Sequence, residues 1–130
     1  MDESSVAATC DFCAIAAHTA PADIHYQDDD LVVFRNRLRW VPLMLLVAPC
    51  AHLDQRKFWR SPLFARAASL AIEIGEAQAP GGYRVVSNFG DDALQTQEHG
   101  HLHVIGGANL GLYVDFPGKG DWQGVYEPPR

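Results

Sequence analysis

The stretch His99-Gly100-His101-Leu102-His103-Val104-Ile105 holds three of the chain's six histidines, at alternate positions. Successive side chains of a β-strand point to opposite faces of the sheet, so the three imidazoles would share one face. Leu102 and Val104 would point the other way, into the core. The pattern therefore predicts a strand over residues 99–105 that carries histidines on one face.

Such a face suits two kinds of chemistry. Neutral imidazole is a common ligand of catalytic metal ions, and it is also a nucleophile when its neighbours orient it. The preceding loop holds Asn88, Gln95 and Thr96, whose neutral groups suit phosphate or sugar oxygens better than a metal ion. Glu98 would alternate to the opposite face. These residues favour a histidine that attacks phosphorus, and a metal site built from all three histidines remains the alternative.

Composition limits the class of protein. The chain has 130 residues, 48% of them apolar, which is enough for one domain that folds without disulfides. Its 10 basic and 16 acidic residues give a net charge of −6, which argues against a nucleic-acid partner. The longest apolar run, residues 41–50, is too short to cross a bilayer, and the acidic start is unlike a signal peptide. We expect a cytoplasmic protein with no membrane partner.

Turn residues and hydrophobic periodicity divide the chain into elements. Strands are predicted over residues 24–27, 31–35, 43–48, 83–88 and 99–105, and a short extended piece over residues 112–116. A short helix is predicted over residues 10–17. Before the main helix, Ser61 would cap the first turn and Pro62 would take the first position. Its buried face would be formed by Leu63, Ala67, Leu70 and Ile74.

These elements predict an α+β fold, an antiparallel sheet of about five strands with one main helix against it. The domain would span residues 10–116. Residues 1–9 would form a flexible tail, and residues 117–130, rich in Gly and Pro, an irregular one.

A second motif is the pair of cysteines in Cys10-Asp11-Phe12-Cys13. A C-x-x-C pair chelates zinc when two further ligands lie close. The alternative is a pair of buried free thiols. An odd total of three cysteines fits a reducing compartment better than a disulfide framework.

Three segments together resemble the histidine triad (HIT) family of nucleotide-binding proteins: Gly82-Tyr83-Arg84-Val85-Val86-Ser87-Asn88-Phe89-Gly90, Gln95-Thr96, and residues 99–107 from the first triad histidine to Gly107. The resemblance extends from Cys10 to about Gly107. It implies a homodimeric HIT-like fold that hydrolyses or transfers nucleoside monophosphates. The implied substrates are nucleoside phosphoramidates, dinucleoside polyphosphates and other adenylylated compounds, with a purine nucleotide such as AMP as ligand and no organic cofactor.

The same resemblance implies roles for individual residues. His101 would be the nucleophile that becomes nucleotidylated, and His103 would hydrogen-bond the phosphate. Gln95 and Thr96 fall where the family contacts the phosphate and the leaving group, and Thr96 would assist proton transfer to the latter. Asn88 matches a position near the sugar-phosphate.

The resemblance also implies a zinc site. Its ligands would be Cys10, Cys13, His52 and His99, a closed Cys2His2 set and therefore a structural one. Cys50 is an alternative to His52. Zinc bound there would fasten the N-terminal segment to the histidine strand.

The chain departs from the family pattern at several positions. Asn36 stands where an acidic residue often contacts the ribose, and Met44 stands where a histidine is usual. Arginines at positions 35, 37 and 39 make the segment around Asn36 unusually basic. The first two departures motivate a further alternative, a nucleotide-binding module without catalytic activity.

Overall fold

The structure is a computed structural model that describes residues 9–112. The five strands are β1 (Ile24–Gln27), β2 (Leu31–Arg35), β3 (Leu43–Pro49), β4 (Tyr83–Val86) and β5 (Leu102–Gly106). The helices are α1 (Asp11–Ala16), α2 (Gln55–Trp59) and α3 (Leu63–Gln78), with a 3-10 turn at Asp91–Ala93. The strands form one antiparallel sheet in the order β1-β2-β3-β5-β4, which confirms the predicted α+β fold.

The predicted tails fall largely outside this range. Residues 1–8 and 113–130 lie outside the described residues, and with them most of the extended piece predicted over 112–116. Within residues 9–112, no helix has the length and apolar character needed to cross a membrane.

The central strand β3 is buried along its whole length because both faces of the sheet are covered. Alternate residues such as Leu45 and Val47 belong to a core cluster beneath α3, which Leu102 and Val104 of β5 also join. Leu46 belongs to a second cluster on the opposite face, formed with α1 and β2. The side chains of β5 that alternate with its two core residues therefore lie on the α1 face of the sheet.

The start of the main helix differs from the prediction. Ser61 does not cap α3, because its hydroxyl donates to the Phe58 carbonyl at 2.8 Å and so closes the end of α2. Pro62 is the residue before the helix rather than its first residue, and it provides no side-chain cap. Helix α2 itself was not predicted, and its own cap is the Asp54 carboxylate accepting from the Lys57 N–H at 2.8 Å.

The buried face of α3 is shifted from the predicted one. Ala67 is buried as predicted, but the other fully buried positions are Ala71 and Gly75. Leu70 and Ile74 pack against the same core cluster and are only partly buried. The sheet therefore lies closest to the small side chains of the helix, and the larger ones flank the contact.

The histidine strand begins later than predicted, at Leu102 instead of His99. His99 forms only an isolated bridge with Asp54, and the Gly100 N–H donates to the Leu53 carbonyl at 2.7 Å. Pairing between β3 and the histidine segment stops at Val47 and Leu102, although β3 itself continues to Pro49, and His99 and Gly100 pair instead with the segment that leads into α2. Strand β4 is also shorter than predicted and ends at Val86 instead of residue 88.

Gly100 is required by its contact with α2. A Cβ atom at this position would lie 2.6 Å from the Cβ of Phe58, which is fully buried. We expect Gly100→Ala to lower the free energy of unfolding by about 1–3 kcal/mol, as overpacking does. Urea unfolding measures this, with Gly81→Ala as control because a Cβ there meets nothing within 4 Å. Equal unfolding midpoints for the two variants would contradict the prediction.

Candidate functional site

The α1 face of the sheet opens onto a cavity of about 840 Å³. All the residues predicted from sequence to bind nucleotide or to act in catalysis line this one cavity. They are Asn36 from the end of β2, Asn88, Gln95 and Thr96 from the loop after β4, and His101 and His103. The fold therefore brings together side chains that are up to 67 positions apart in the sequence.

The His101 ring is held in one orientation. Its Nδ1 lies 2.8 Å from the His99 carbonyl oxygen, and because a carbonyl can only accept, Nδ1 must carry the proton. The ring packs edge-to-face against the rings of Phe12 and His103, with distances between ring centroids of 5.0 Å and 4.9 Å. Burial lowers the pKa of His101, so the ring is neutral at pH 7 and Nε2 keeps its lone pair.

His103 is also neutral. Burial and, to a lesser degree, the neighbouring His101 lower its pKa to about 4. Its main chain pairs with Leu46 of β3 on one side and Val86 of β4 on the other, so the ring projects from the middle of the sheet. A neutral imidazole at this position can donate one hydrogen bond to an anionic ligand without itself carrying charge.

Two residues that were not predicted from sequence bind the backbone of His101. Its N–H donates to Gln55 Oε1 at 2.8 Å, and its carbonyl accepts from the Ser87 hydroxyl at 2.6 Å. Gln55 is 1% exposed and also donates to the Asn88 carbonyl at 3.2 Å. Gln55 begins a short helix and Ser87 follows a strand. Polar residues are common at both kinds of position, so the local sequence does not indicate that either one contacts His101.

Side chains of the 88–98 loop also shape the loop itself. Gln95 accepts from the Gly90 N–H at 2.8 Å and donates to the Gln97 carbonyl at 3.0 Å. Gly90 has a φ of +86°, a conformation that favours glycine. The Asn36 side chain also shapes its own loop, since its oxygen accepts from the Leu38 N–H at 3.0 Å. Thr96 is exposed on the cavity wall.

A group of four residues beside the cavity could hold a metal ion. One ligand atom from each of Cys10, Cys13, His52 and His99 lies within 4.8 Å of the others. Sulfur to nitrogen distances are 3.3 Å for Cys13 to His52 and 3.4 Å for each cysteine to His99. A tetrahedral zinc with ordinary bond lengths separates sulfur from nitrogen by about 3.6 Å, so the donor set fits such an ion.

The protonation of His99 also fits metal binding. Its Nε2 lies 2.6 Å from the Pro49 carbonyl and therefore carries the proton, which leaves the Nδ1 lone pair directed at the two sulfurs. Burial lowers the pKa of His99 to about 4, so the ring is neutral as a ligand must be. Within residues 9–112 this is the one group of at least three such side chains so gathered, and His101 and His103 are not part of it.

One rim of the cavity is basic. Arg35, Arg37 and Arg39 line it, together with Trp40, which is 78% exposed. None of the three arginines forms an ion pair or side-chain hydrogen bond within the part of the chain that the structure describes. Asp11 and Asp23 are the acidic side chains in the same lining. The three arginine side chains of the rim can therefore pair with an anionic ligand, although the chain as a whole is acidic.

A family model described as HIT domain matches residues 17–110. The chain belongs to the HIT domain family. Protein HitA of Neisseria gonorrhoeae is 32% identical over 101 residues, which cover 75% of this chain and 94% of that protein. A purine nucleoside phosphoramidase of Escherichia coli is 30% identical over 105 residues, which cover 77% of this chain and 88% of the enzyme.

Solved structures agree with this membership. A HIT family hydrolase from Clostridium thermocellum matches with a TM-score of 0.73 at 27% identity, covering 82% of this chain and 96% of that one. A Zn-bound histidine triad family protein from Mycobacterium smegmatis matches with a TM-score of 0.69 at 26% identity, covering 85% of each chain. They confirm the HIT-like fold predicted from the sequence and support a hydrolase or nucleotide-binding function.

Proposed function

We propose that this HIT protein is a nucleotide hydrolase or transferase that cleaves nucleoside phosphoramidates or dinucleoside polyphosphates through a nucleotidyl-histidine intermediate. The observation that carries the proposal is the Nδ1 bond of His101 to the His99 carbonyl. That bond leaves an unprotonated Nε2 on a ring that lines the cavity. The name of the Escherichia coli relative, purine nucleoside phosphoramidase, supports a purine nucleotide such as AMP as the group transferred.

The reaction proceeds in two displacements. His101 Nε2 attacks the α-phosphorus, and the bond from phosphorus to the leaving nitrogen or oxygen breaks. The leaving group takes a proton from water, with help from the Thr96 hydroxyl or from a backbone carbonyl that orients the donor. The resulting ring carries a positive charge, which the His99 carbonyl stabilises through the Nδ1–H. Water then attacks the phosphorus, releases the nucleoside monophosphate and a proton, and returns His101 to its neutral form.

The other cavity residues bind the nucleotide. The neutral His103 ring donates to a phosphate oxygen, and Asn88 and Thr96 contact the sugar-phosphate and the leaving group. Gln95 acts at the phosphate from the loop that its amide shapes. Asn36, which lines the cavity, contacts the ribose hydroxyls, and its side-chain oxygen also accepts from the Leu38 N–H.

We further propose that the metal is a structural zinc. Two thiols and two imidazoles are the usual donors of closed zinc sites, and a Zn-bound family member has the same fold. When bound, the ion supplies a cross-link and no chemistry. Without a metal the Cys13 thiol is uncharged, because burial and the neighbouring Cys10 thiol raise its pKa to about 12. Zinc binding would displace that proton to solvent.

A homodimer in the cytoplasm is part of the same proposal. Thiols at the metal-ligating positions persist in a reducing compartment. Ile72 of α3 and Val85 of the edge strand β4 are apolar and exposed, which favours a contact between two copies. Light scattering of the purified protein measures the oligomeric state, and a mass of one chain would contradict the dimer.

The direct test is the intact mass of the protein during incubation with adenosine 5′-phosphoramidate. We expect a species heavier by one adenylyl group, acid-labile as phosphorus–nitrogen bonds are, and steady release of AMP. His101→Asn is the control and should show neither. A protein that binds AMP but forms no adduct and releases no product would favour the non-catalytic nucleotide-binding module.

The basic rim leads to a prediction about substrate choice. Replacing Arg37 and Arg39 together with Ala should raise KM for diadenosine tetraphosphate about tenfold, since each exposed cation that meets phosphate contributes ~1 kcal/mol or less. KM for adenosine 5′-phosphoramidate, whose leaving group is uncharged, should change less than about twofold. Steady-state kinetics on both substrates measure this, with Arg60→Ala as a control at an exposed cation outside the cavity. Equal changes for both substrates would contradict a role in binding the leaving group.

A further inference from the structure

We propose that Gln55 and Ser87 are positioning residues that fix the nucleophile by holding both backbone polar groups of His101. The inference rests on the proposed function of His101. It concerns how the ring is placed, since neither residue lines the cavity or touches the reacting atoms.

His101 lies just before β5, where the backbone pairing of the sheet has ended. The last registered pairs are Val47 with Leu102 on one side and Val86 with His103 on the other. The N–H and carbonyl of a buried residue need partners, and for a residue paired within the sheet the neighbouring strands supply them. Here side chains supply them instead, Gln55 from the start of α2 and Ser87 from the residue after β4.

The two bonds are short, and they act from opposite sides. The acceptor on Gln55 is 2.8 Å from the His101 nitrogen, and the donor on Ser87 is 2.6 Å from the His101 oxygen. Gln55 is 1% exposed and His101 is 5% exposed, so water does not compete for these groups. Neutral partners also leave the nucleophile's surroundings free of added charge.

The placement matters because the orientation of the ring depends on the same backbone. The Nδ1 bond to the His99 carbonyl spans only residues 99–101, so a peptide rotation at His101 would break it and release the ring. Gln55 also donates to the Asn88 carbonyl, which ties the nucleophile to the first residue of the cavity loop. A misplacement of 1 Å at a reacting group costs on the order of 100-fold in rate.

Gln55→Met tests this with little change in side-chain volume, because it removes the oxygen that accepts from His101 and adds no charge. We expect Gln55→Met to lower kcat for adenosine 5′-phosphoramidate about 10- to 100-fold with KM changed less than about threefold. Ser87→Ala should lower kcat by a smaller factor, and Ser87→Thr should restore it because the hydroxyl returns. Ile74→Ala, a truncation in α3 away from the cavity, controls for loss of stability alone.

A second readout does not need activity. Nitrogen-15 NMR of the imidazoles should show His101 as one Nδ1–H tautomer in the wild type and as a tautomer mixture in Gln55→Met and Ser87→Ala. If the wild type forms no nucleotidyl adduct, the proposed function fails, and the tautomer measurement still decides the positioning role. If Gln55→Met does not fold, the comparison of Ser87→Ala with Ser87→Thr decides whether the positioning role is correct. Wild-type kcat and a single tautomer in a folded variant would overturn the inference.

Discussion

His101→Asn should lower the rate of nucleotide release by roughly 10⁴-fold or more, because it removes the only atom we assign to attack on phosphorus. Asn retains an amide N–H that can donate to the His99 carbonyl in place of Nδ1–H, so the backbone of residues 99–101 should stay as it is. We therefore expect an unchanged fold by circular dichroism and an unchanged metal content. Single-turnover kinetics with adenosine 5′-phosphoramidate measure the loss.

The matched variant His103→Asn separates attack from phosphate binding. It should still form the adenylyl adduct, more slowly by a factor of about 10² to 10³, as expected when one preorganised hydrogen-bond donor is removed. Metal analysis of both variants tests the alternative in which the triad histidines are metal ligands. Loss of metal from His101→Asn would contradict the nucleophile assignment, because that ring lies outside the Cys10, Cys13, His52 and His99 group.

The alternation of the histidine segment could be predicted from sequence because it depends on a local property of extended chains. Leu102 and Val104 are buried in the core, and His101 and His103 face the cavity, as the period of two requires. At residues 99–101 the strand assignment was wrong, although the His99 and His101 rings still pack against the same α1 residue, Phe12. There His99 and Gly100 pair with Asp54 and Leu53 instead of with β3, and no pattern within the segment encodes which part of the chain lies alongside.

Gln55 and Ser61 also have roles that depend on contacts beyond the local sequence. The sequence predicted that Ser61 caps the long helix α3. Instead its hydroxyl donates to the Phe58 carbonyl in α2, a helix that was not predicted. Gln55 lies 46 positions from the residue it holds, so its role depends wholly on tertiary contact. The four residues of the proposed metal site could be named from the sequence because the C-x-x-C spacing is a local signal and the family resemblance implied His52 and His99. The Pro49 carbonyl that sets the tautomer of His99 carried no such signal.

Loss of the metal site should destabilise the fold more than Gly100→Ala does. Its ligands come from α1, from the turn after β3 and from the start of the histidine segment, so one ion would join three parts of the chain. Structural zinc sites contribute on the order of 10 kcal/mol to the folding of small domains. This chain also has a core of its own beneath α3, so we expect Cys13→Ala to remove the metal and lower the free energy of unfolding by roughly half that amount.

Cys13 is the ligand to replace because Cys10 has a second role. The Cys10 sulfur accepts from the Cys13 N–H at 3.4 Å and so caps α1, and its loss would confound the measurement. Cys50→Ala is the matched control, a half-buried thiol outside the metal group that donates to the Asp28 carbonyl at 3.6 Å. A chelator should lower the melting temperature of the wild type and of Cys50→Ala, and should leave that of Cys13→Ala unchanged. A wild type that melts at the same temperature with and without chelator would show that the four side chains hold no stabilising ion, and the α1 face of the sheet would then be stabilised by its apolar contacts alone.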